Sequence, residues 1–263
     1  MNIVLVHGIL GFQNLVKLGP IGLIPYFRGV AEHFEAQDHR VLAVELDKTA
    51  GVARRAGQLG DQIAAALGAG GPLDPAQKTH IIAHSMGGLD SRYLLSPANP
   101  TPNKLPIRSL TTIGTPHFGS PIADAVDNPD TPQDVKDAIG AVLAKFEISL
   151  DGLHDLRTDR CKTFSATYLD RPGVDYSCIA GIGRPGFIKT WLLFVPLYEF
   201  ISSHTNEDND GLVTLSSSRW GTPVGEWPAD HADEIGYNLR IIPPVFHHLS
   251  KYDEILARLA GLP

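Results

Sequence analysis

The chain of 263 residues is 43% hydrophobic and 19% charged, and it carries a formal net charge of −7 at pH 7. Such a chain is long enough to bury a full core as one large α/β domain, and its composition excludes disorder. The charge argues against nucleic acid, because phosphate binding requires a concentrated basic face; the one adjacent basic pair, Arg54-Arg55, lies in the mainly polar stretch Ala53 to Asp61 and reads as a solvated helix end.

In chain order, a strand is predicted over Asn2 to Val6. It starts almost at once, without the basic n-region and long apolar h-region of a signal peptide. The protein is therefore expected in the cytoplasm if Met1 is the native start, and outside the cell if the chain is a mature domain. A helix follows over Pro25 to Glu35, a strand over Arg40 to Leu46, a helix over Val52 to Leu67 and a strand over Thr79 to Ala83. Next come a helix over Met86 to Leu95 and a strand over Ile107 to Ile113. Ser120 to Leu156 is the expected place of an insertion, where "DNPDTPQDVKDAIGAVLAKF" joins a proline-rich entry to a helix that is apolar on one side. Cys161 and Cys178 lie in no CxxC or Cys/His cluster and are expected as free thiols. A further strand is predicted over Asp175 to Ala180, a last one near Arg240 to Ile242, and a final helix over Leu249 to Leu259.

Between them, "GFIKTWLLFVPLYEFIS", Gly186 to Ser202, is dense in large apolar residues but is interrupted by Lys189, Pro196 and Glu199. A membrane span requires roughly 20 nearly continuous apolar residues, so this segment is not transmembrane. It has to be buried or to meet something apolar.

Apolar runs alternating with helical patterns predict an α/β fold, a mostly parallel sheet with helices on both faces in a single domain over residues 1–263. Open parallel sheets bind ligands at the carboxyl ends of their strands. Three such ends deliver glycines and polar side chains to one rim: "HGILGF" (His7 to Phe12), "HSMGG" after the third strand, and "GTPHFGS" (Gly114 to Ser120).

Ser85 sits on the turn between a buried-looking strand and a helix, in Ala83-His84-Ser85-Met86-Gly87. A serine hydroxyl is a poor nucleophile near neutral pH and requires a base, a group to orient that base, and donors for the oxyanion. The pentapeptide fits the strand-turn-helix nucleophile elbow, with alanine for the usual first glycine. Its bland reading is a helix N-cap. "LVHGILGF" shifts the balance, since an HG-x-x-G loop supplies a second oxyanion amide, that of Ile9, beside that of Met86.

In this arrangement the acid and then the base follow the serine. Downstream, "NDG" offers Asp210, with Asp208 as runner-up, and "WPADHADEIG" offers His231. Against these, Asn-Asp-Gly is a common turn former, and His231 between Asp230 and Asp233 reads equally as a solvated residue. His7 and His84 read as local hydrogen-bonding groups, His247 and His248 as structural; His117 is a further candidate to face the cleft.

Together "VLVHGILGF", "IIAHSMGGLDSRYLL", "TTIGTPHFGSPIAD", "NDGLV" and "DHADEIG" resemble the true lipases of bacterial family I in the α/β-hydrolase superfamily, over most of the chain. The resemblance implies an α/β-hydrolase fold with a helical lid, and Ser85, Asp210 and His231 as nucleophile, acid and base, with Ile9 and Met86 as oxyanion donors. It implies triacylglycerol hydrolysis through an acyl-enzyme, with no redox or nucleotide cofactor. Several members carry a structural Ca²⁺; Asp233 occupies one ligand position, while Tyr237 replaces another, and calcium takes six or more oxygens.

The lid is expected within 121–150, and 186–202 is a second apolar cap candidate. Trp191, Leu192, Phe194 and Leu197 are expected beside an acyl pocket, with burial against the sheet as the competing reading. The expected partner is a lipid or other ester, met at a lipid–water interface by a monomer. A carboxylesterase acting on short soluble esters would share every catalytic residue, and a non-catalytic binding module would have lost one; none is lost here.

Overall fold

A computed structural model describes residues 1–9, 26–146, 150–183, 192–237 and 246–262. Its strands are β1 (Asn2–Val6), β2 (Arg40–Ala43), β3 (Thr79–His84), β4 (Ile107–Ile113), β5 (Asp175–Gly181) and β6 (Thr222–Trp227). They form one six-stranded sheet in the order β2-β1-β3-β4-β5-β6, parallel throughout. The helices are α1 (Val30–Glu35), α2 (Val52–Leu67), α3 (Met86–Leu95), α4 (Pro121–Ala125), α5 (Gln133–Phe146), α6 (Leu150–His154), α7 (Thr158–Thr167), α8 (Val195–Thr205) and α9 (His248–Ala260).

Alternation along β1 explains the layers: Ile3 and Leu5 face a core shared with α1 and α9, Val4 and Val6 a core shared with α2. A strand covered on both faces has no solvent side, which is why β1 is apolar from Ile3 to Val6, β3 from Ile81 to Ala83, and both are buried along their whole length. From β1 the chain steps to β2 on one side and returns to β3 on the other. That reversal opens a crevice at the carboxyl ends of β1 and β3, the place where such sheets take ligands. His7 to Ile9 and Ser85 follow those two ends.

The structure departs from expectation at the sheet margins. β2 stops at Ala43 rather than Leu46, because the Leu46 amide leaves the ladder and donates to His7 Nε2 at 2.8 Å. The sixth strand is Thr222–Trp227, a segment whose Pro223 and Gly225 are poor strand formers tolerated at a sheet edge; the expected strand near Arg240 lies outside the described residues. Arg55 is no solvated helix end. It is fully buried and donates from Nε to Asp90 Oδ2 at 2.8 Å, while Arg54 alone faces solvent. Cys161 and Cys178 are buried free thiols.

Helices α4 to α7 occupy the connection between β4 and β5, and α8 follows β5 and packs on α5. Among the described residues no helix is long and apolar enough to cross a membrane.

Candidate active site

Ser85 adopts φ 57° and ψ −134°, a region non-glycine residues avoid at a cost of about 1–3 kcal/mol. The surroundings hold it there. Its N–H donates to Ile113 O at 2.9 Å, and Thr115 Oγ1 donates to its carbonyl at 2.8 Å. The close approach requires small neighbours: a Cβ on Gly87 would stand 2.6 Å from Val6 O, and one on Gly8 would stand 2.6 Å from Ser85 Cβ. Met86 opens α3, so its N–H has no intrahelical acceptor.

Asp210 lies on a turn closed by the Asn209–Thr214 bridge. Its Oδ1 accepts from the amides of Leu212 at 2.8 Å and Val213 at 2.7 Å, which leaves Oδ2 aimed at His231 Nδ1, 2.7 Å away. A second tie runs from the His231 amide to Asp210 O at 3.0 Å. A carboxylate only accepts, so the proton sits on Nδ1 and the His231 Nε2 lone pair is free. Nε2 is buried and has no hydrogen-bond partner among the described residues.

Ser85 and His231 border one cavity of about 50 Å³, which Ile9 also lines. Apart from Ser120 the rest of its wall is apolar and includes Ile122, Leu212, Ile139 and Leu143 of α5, and Leu153 of α6. Both catalytic candidates are almost wholly shielded, Ser85 being 4% and His231 1% exposed. A wider groove of about 730 Å³ lies on the far side between α2, α3 and residues 99–106, and it carries none of these groups.

Of the apolar residues expected at the acyl pocket, those described sit elsewhere. Phe194 and Leu197 are fully buried in the core against α5, Leu192 is exposed, and Trp191 lies outside the described residues. Their apolar density signalled burial, which helix–helix packing satisfies. Asp208 is exposed and takes no part in the arrangement. His117 is buried beside Arg92, whose Nη1 donates to its Nδ1 at 3.2 Å, and does not line the cavity. His248 starts α9 and donates from Nε2 to Arg28 O at 2.8 Å.

Behind His231 lies a buried polar cluster that sequence reasoning did not single out. Glu234 Oε2 pairs with His84 Nε2 at 2.8 Å and stands 3.7 Å from His231 Nδ1; His84 Nδ1 pairs with the Tyr26 hydroxyl at 2.6 Å. Burial, reinforced by the charges of Asp210 and Asp230, pushes the Glu234 carboxyl well above its ordinary range. Burial likewise holds His84 well below its own. Glu234 stands within the quoted "DHADEIG", but Tyr26 meets His84 across a separation no local pattern reports.

Asp233 is engaged in shaping the His231 loop. Its Oδ2 accepts the Asp230 amide at 3.2 Å, and Asp230 Oδ1 accepts the amides of Ala232 at 3.0 Å and Asp233 at 2.9 Å. A phenol stands at Tyr237, where the resemblance expects another calcium ligand. Among the described residues the one cluster with metal-ligand spacing is His84, His231 and Glu234, already hydrogen-bonded internally.

The chain is 30% identical over 262 residues to the triacylglycerol lipase of Vibrio cholerae serotype O1, a match covering 89% of this chain and 78% of that protein. To triacylglycerol lipase 2 of Saccharomyces cerevisiae it is 29% identical over 221 residues, covering 83% of this chain but only 64% of that protein's length. The crystal structure of Staphylococcus hyicus lipase superposes with a TM-score of 0.72 over 99% of this chain and 95% of that one, at 18% identity, which shows the fold. No protein-family model matches the chain.

Proposed function

Because this chain belongs to the bacterial family I true lipases, the triacylglycerol lipases of the α/β-hydrolase superfamily, we propose that it hydrolyses carboxylic esters of lipids, triacylglycerols above all, through an acyl-enzyme. One observation carries the reading. His231 borders the same cavity as the strained Ser85, its buried Nε2 has no hydrogen-bond partner among the described residues, and Asp210 fixes its other nitrogen.

His231 Nε2 takes the hydroxyl proton as Ser85 Oγ attacks the ester carbon, and Asp210 stabilises the imidazolium. The oxyanion is met by the amides of Ile9 and Met86. His231 returns the proton to the leaving alcohol, then activates a water that releases the acid and regenerates Ser85. Nothing in this cycle calls for a metal or other cofactor, and its residues come from one chain, which is compatible with a monomer.

A cavity of about 50 Å³ is far below the roughly 300–1,000 Å³ of ligand pockets. The small volume supports entry of substrate by movement of α5 and so a lid within 121–150, whose described side chains on the cavity, Ile122, Ile139, Val142 and Leu143, are apolar and suited to a lipid surface. The test is turnover of p-nitrophenyl esters across acyl lengths, with Ser85→Ala as control. Preference for long chains and a rise above the substrate's solubility limit are expected. Preference for short chains points to a carboxylesterase, and absence of turnover sinks the hydrolase reading.

A further inference from the structure

Ile9 follows a glycine, the residue with the most backbone freedom, so something has to fix the direction in which its N–H points. We propose that His7 is a positioning residue that presets the oxyanion hole: its ring holds the Gly8–Ile9 peptide so that the Ile9 N–H faces Ser85 before substrate arrives. This rests on the hydrolase reading given above.

The ring of His7 has its proton placed by its neighbours. Leu46 N–H lies 2.8 Å from Nε2, and a backbone amide can only donate, so Nε2 is the acceptor. The single proton of a neutral imidazole is then on Nδ1, which donates to Gly8 O at 2.7 Å. Burial, with Arg55 nearby, keeps the ring neutral by lowering its pKa to about 4.

A trans peptide is planar, with its carbonyl and N–H pointing opposite ways, and the described chain has no cis bonds. Drawing Gly8 O toward His7 therefore turns the Ile9 N–H to the other side. Ser85 is on hand: a Cβ on Gly8 would lie 3.0 Å from its Oγ, and Ile9 shares its cavity. Among the described residues no acceptor takes the Ile9 amide.

The preceding peptide is pinned as well. Arg55 Nη2 donates to His7 O at 2.8 Å, and Arg55 is itself held by Asp90. Two successive carbonyls are thus fixed, and the glycine between them cannot flip while both bonds stand. The donor is in place even though the site is covered.

The two ring nitrogens can be tested apart. His7→Asn restores a donor at the Nδ1 position and removes the Leu46 acceptor; His7→Gln restores an acceptor near Nε2 and removes the donor to Gly8; His7→Leu removes both. His7→Gln is expected to keep the melting temperature close to wild type and KM within about twofold, but to lose kcat about 10²-fold, the scale of one oxyanion donor. His7→Asn is expected to recover about tenfold of that kcat while melting lower. Equal kcat in His7→Gln and wild type overturns the proposal, as does a kcat that merely follows melting temperature across the three variants. Independently of turnover, the ¹⁵N spectrum of histidine-labelled protein should show His7 as the Nδ1–H tautomer; an Nε2–H signal overturns the geometry. An inactive wild-type enzyme instead sinks the hydrolase reading, so the two failures are told apart.

Discussion

The strand-end side of the cavity is held by hydrogen bonds to Ser85, Asp210 and His231, whereas the helices over it meet the site through apolar side chains such as Ile139, Leu143 and Leu153. Polar ties of the cover lie at its margins: Asp155 Oδ2 accepts the Val52 amide at 2.8 Å, and Asp124 Oδ1 accepts the Thr158 amide at 3.0 Å. Directional bonds fix the reacting groups in one geometry, whereas dispersion contacts cost little to exchange for lipid. The difference teaches that preorganisation and access are assigned to separate parts of the chain.

Five substitutions would break or sharpen this contrast. The largest effect belongs to the bonded side: Ser85→Ala should cut kcat on the order of 10⁶-fold and Asp210→Asn roughly 10⁴-fold, in stopped assays on a soluble ester, with the fold intact by circular dichroism. Next, Arg55→Met leaves Asp90 buried without its cation and should cost about 3–5 kcal/mol in urea unfolding. A stability close to wild type would deny that the pair fastens the floor.

On the cover, Ile139→Ala removes a buried side chain of α5, for a loss of about 2 kcal/mol or more. If closure is a separate equilibrium, that loss appears as a several-fold gain in activity below the substrate's solubility limit rather than as a lower global melting temperature. The smallest effect is expected at Asp127, whose pairs with His154 and Arg157 are half-exposed. Asp127→Asn should change stability by less than about 1 kcal/mol in thermal melts, and a larger shift would make the cover's margin more than a set of loose ties.

Much of the bonded side was legible because it is written locally. Short runs carrying Val, Ile or Leu marked β1, β3, β4 and β5, and helical periodicity marked α2 and α3 to the residue. The position of Ser85 on the turn between β3 and α3 followed from the small residues around it. What the sequence withheld is tertiary. Arg55 looks like Arg54 until Asp90 is brought against it, and Glu234 and Tyr26 acquire their partner only when β3 passes between them. β6 was hidden by Pro223 and Gly225, whose local preference opposes the strand that an edge position allows. Phe194 and Leu197 announced their burial without saying against what.

The pocket holding Glu234 is cut by two glycines, since a Cβ at Gly114 or Gly181 would run into its carboxyl. A group kept neutral by folding, yet ionised in the unfolded chain above its ordinary pKa of 4.5, favours the native state most in acid and withdraws that support as alkalinity grows. The buried neutral imidazoles of His7 and His84 act in the reverse sense and weaken the fold below about 6.5. Melting curves of Glu234→Gln should therefore diverge upward from the parent curve as the buffer is made more basic. A constant offset would mean that the carboxyl is charged in its crevice. One proton that the native state retains thus draws support away from the fold as the medium turns basic.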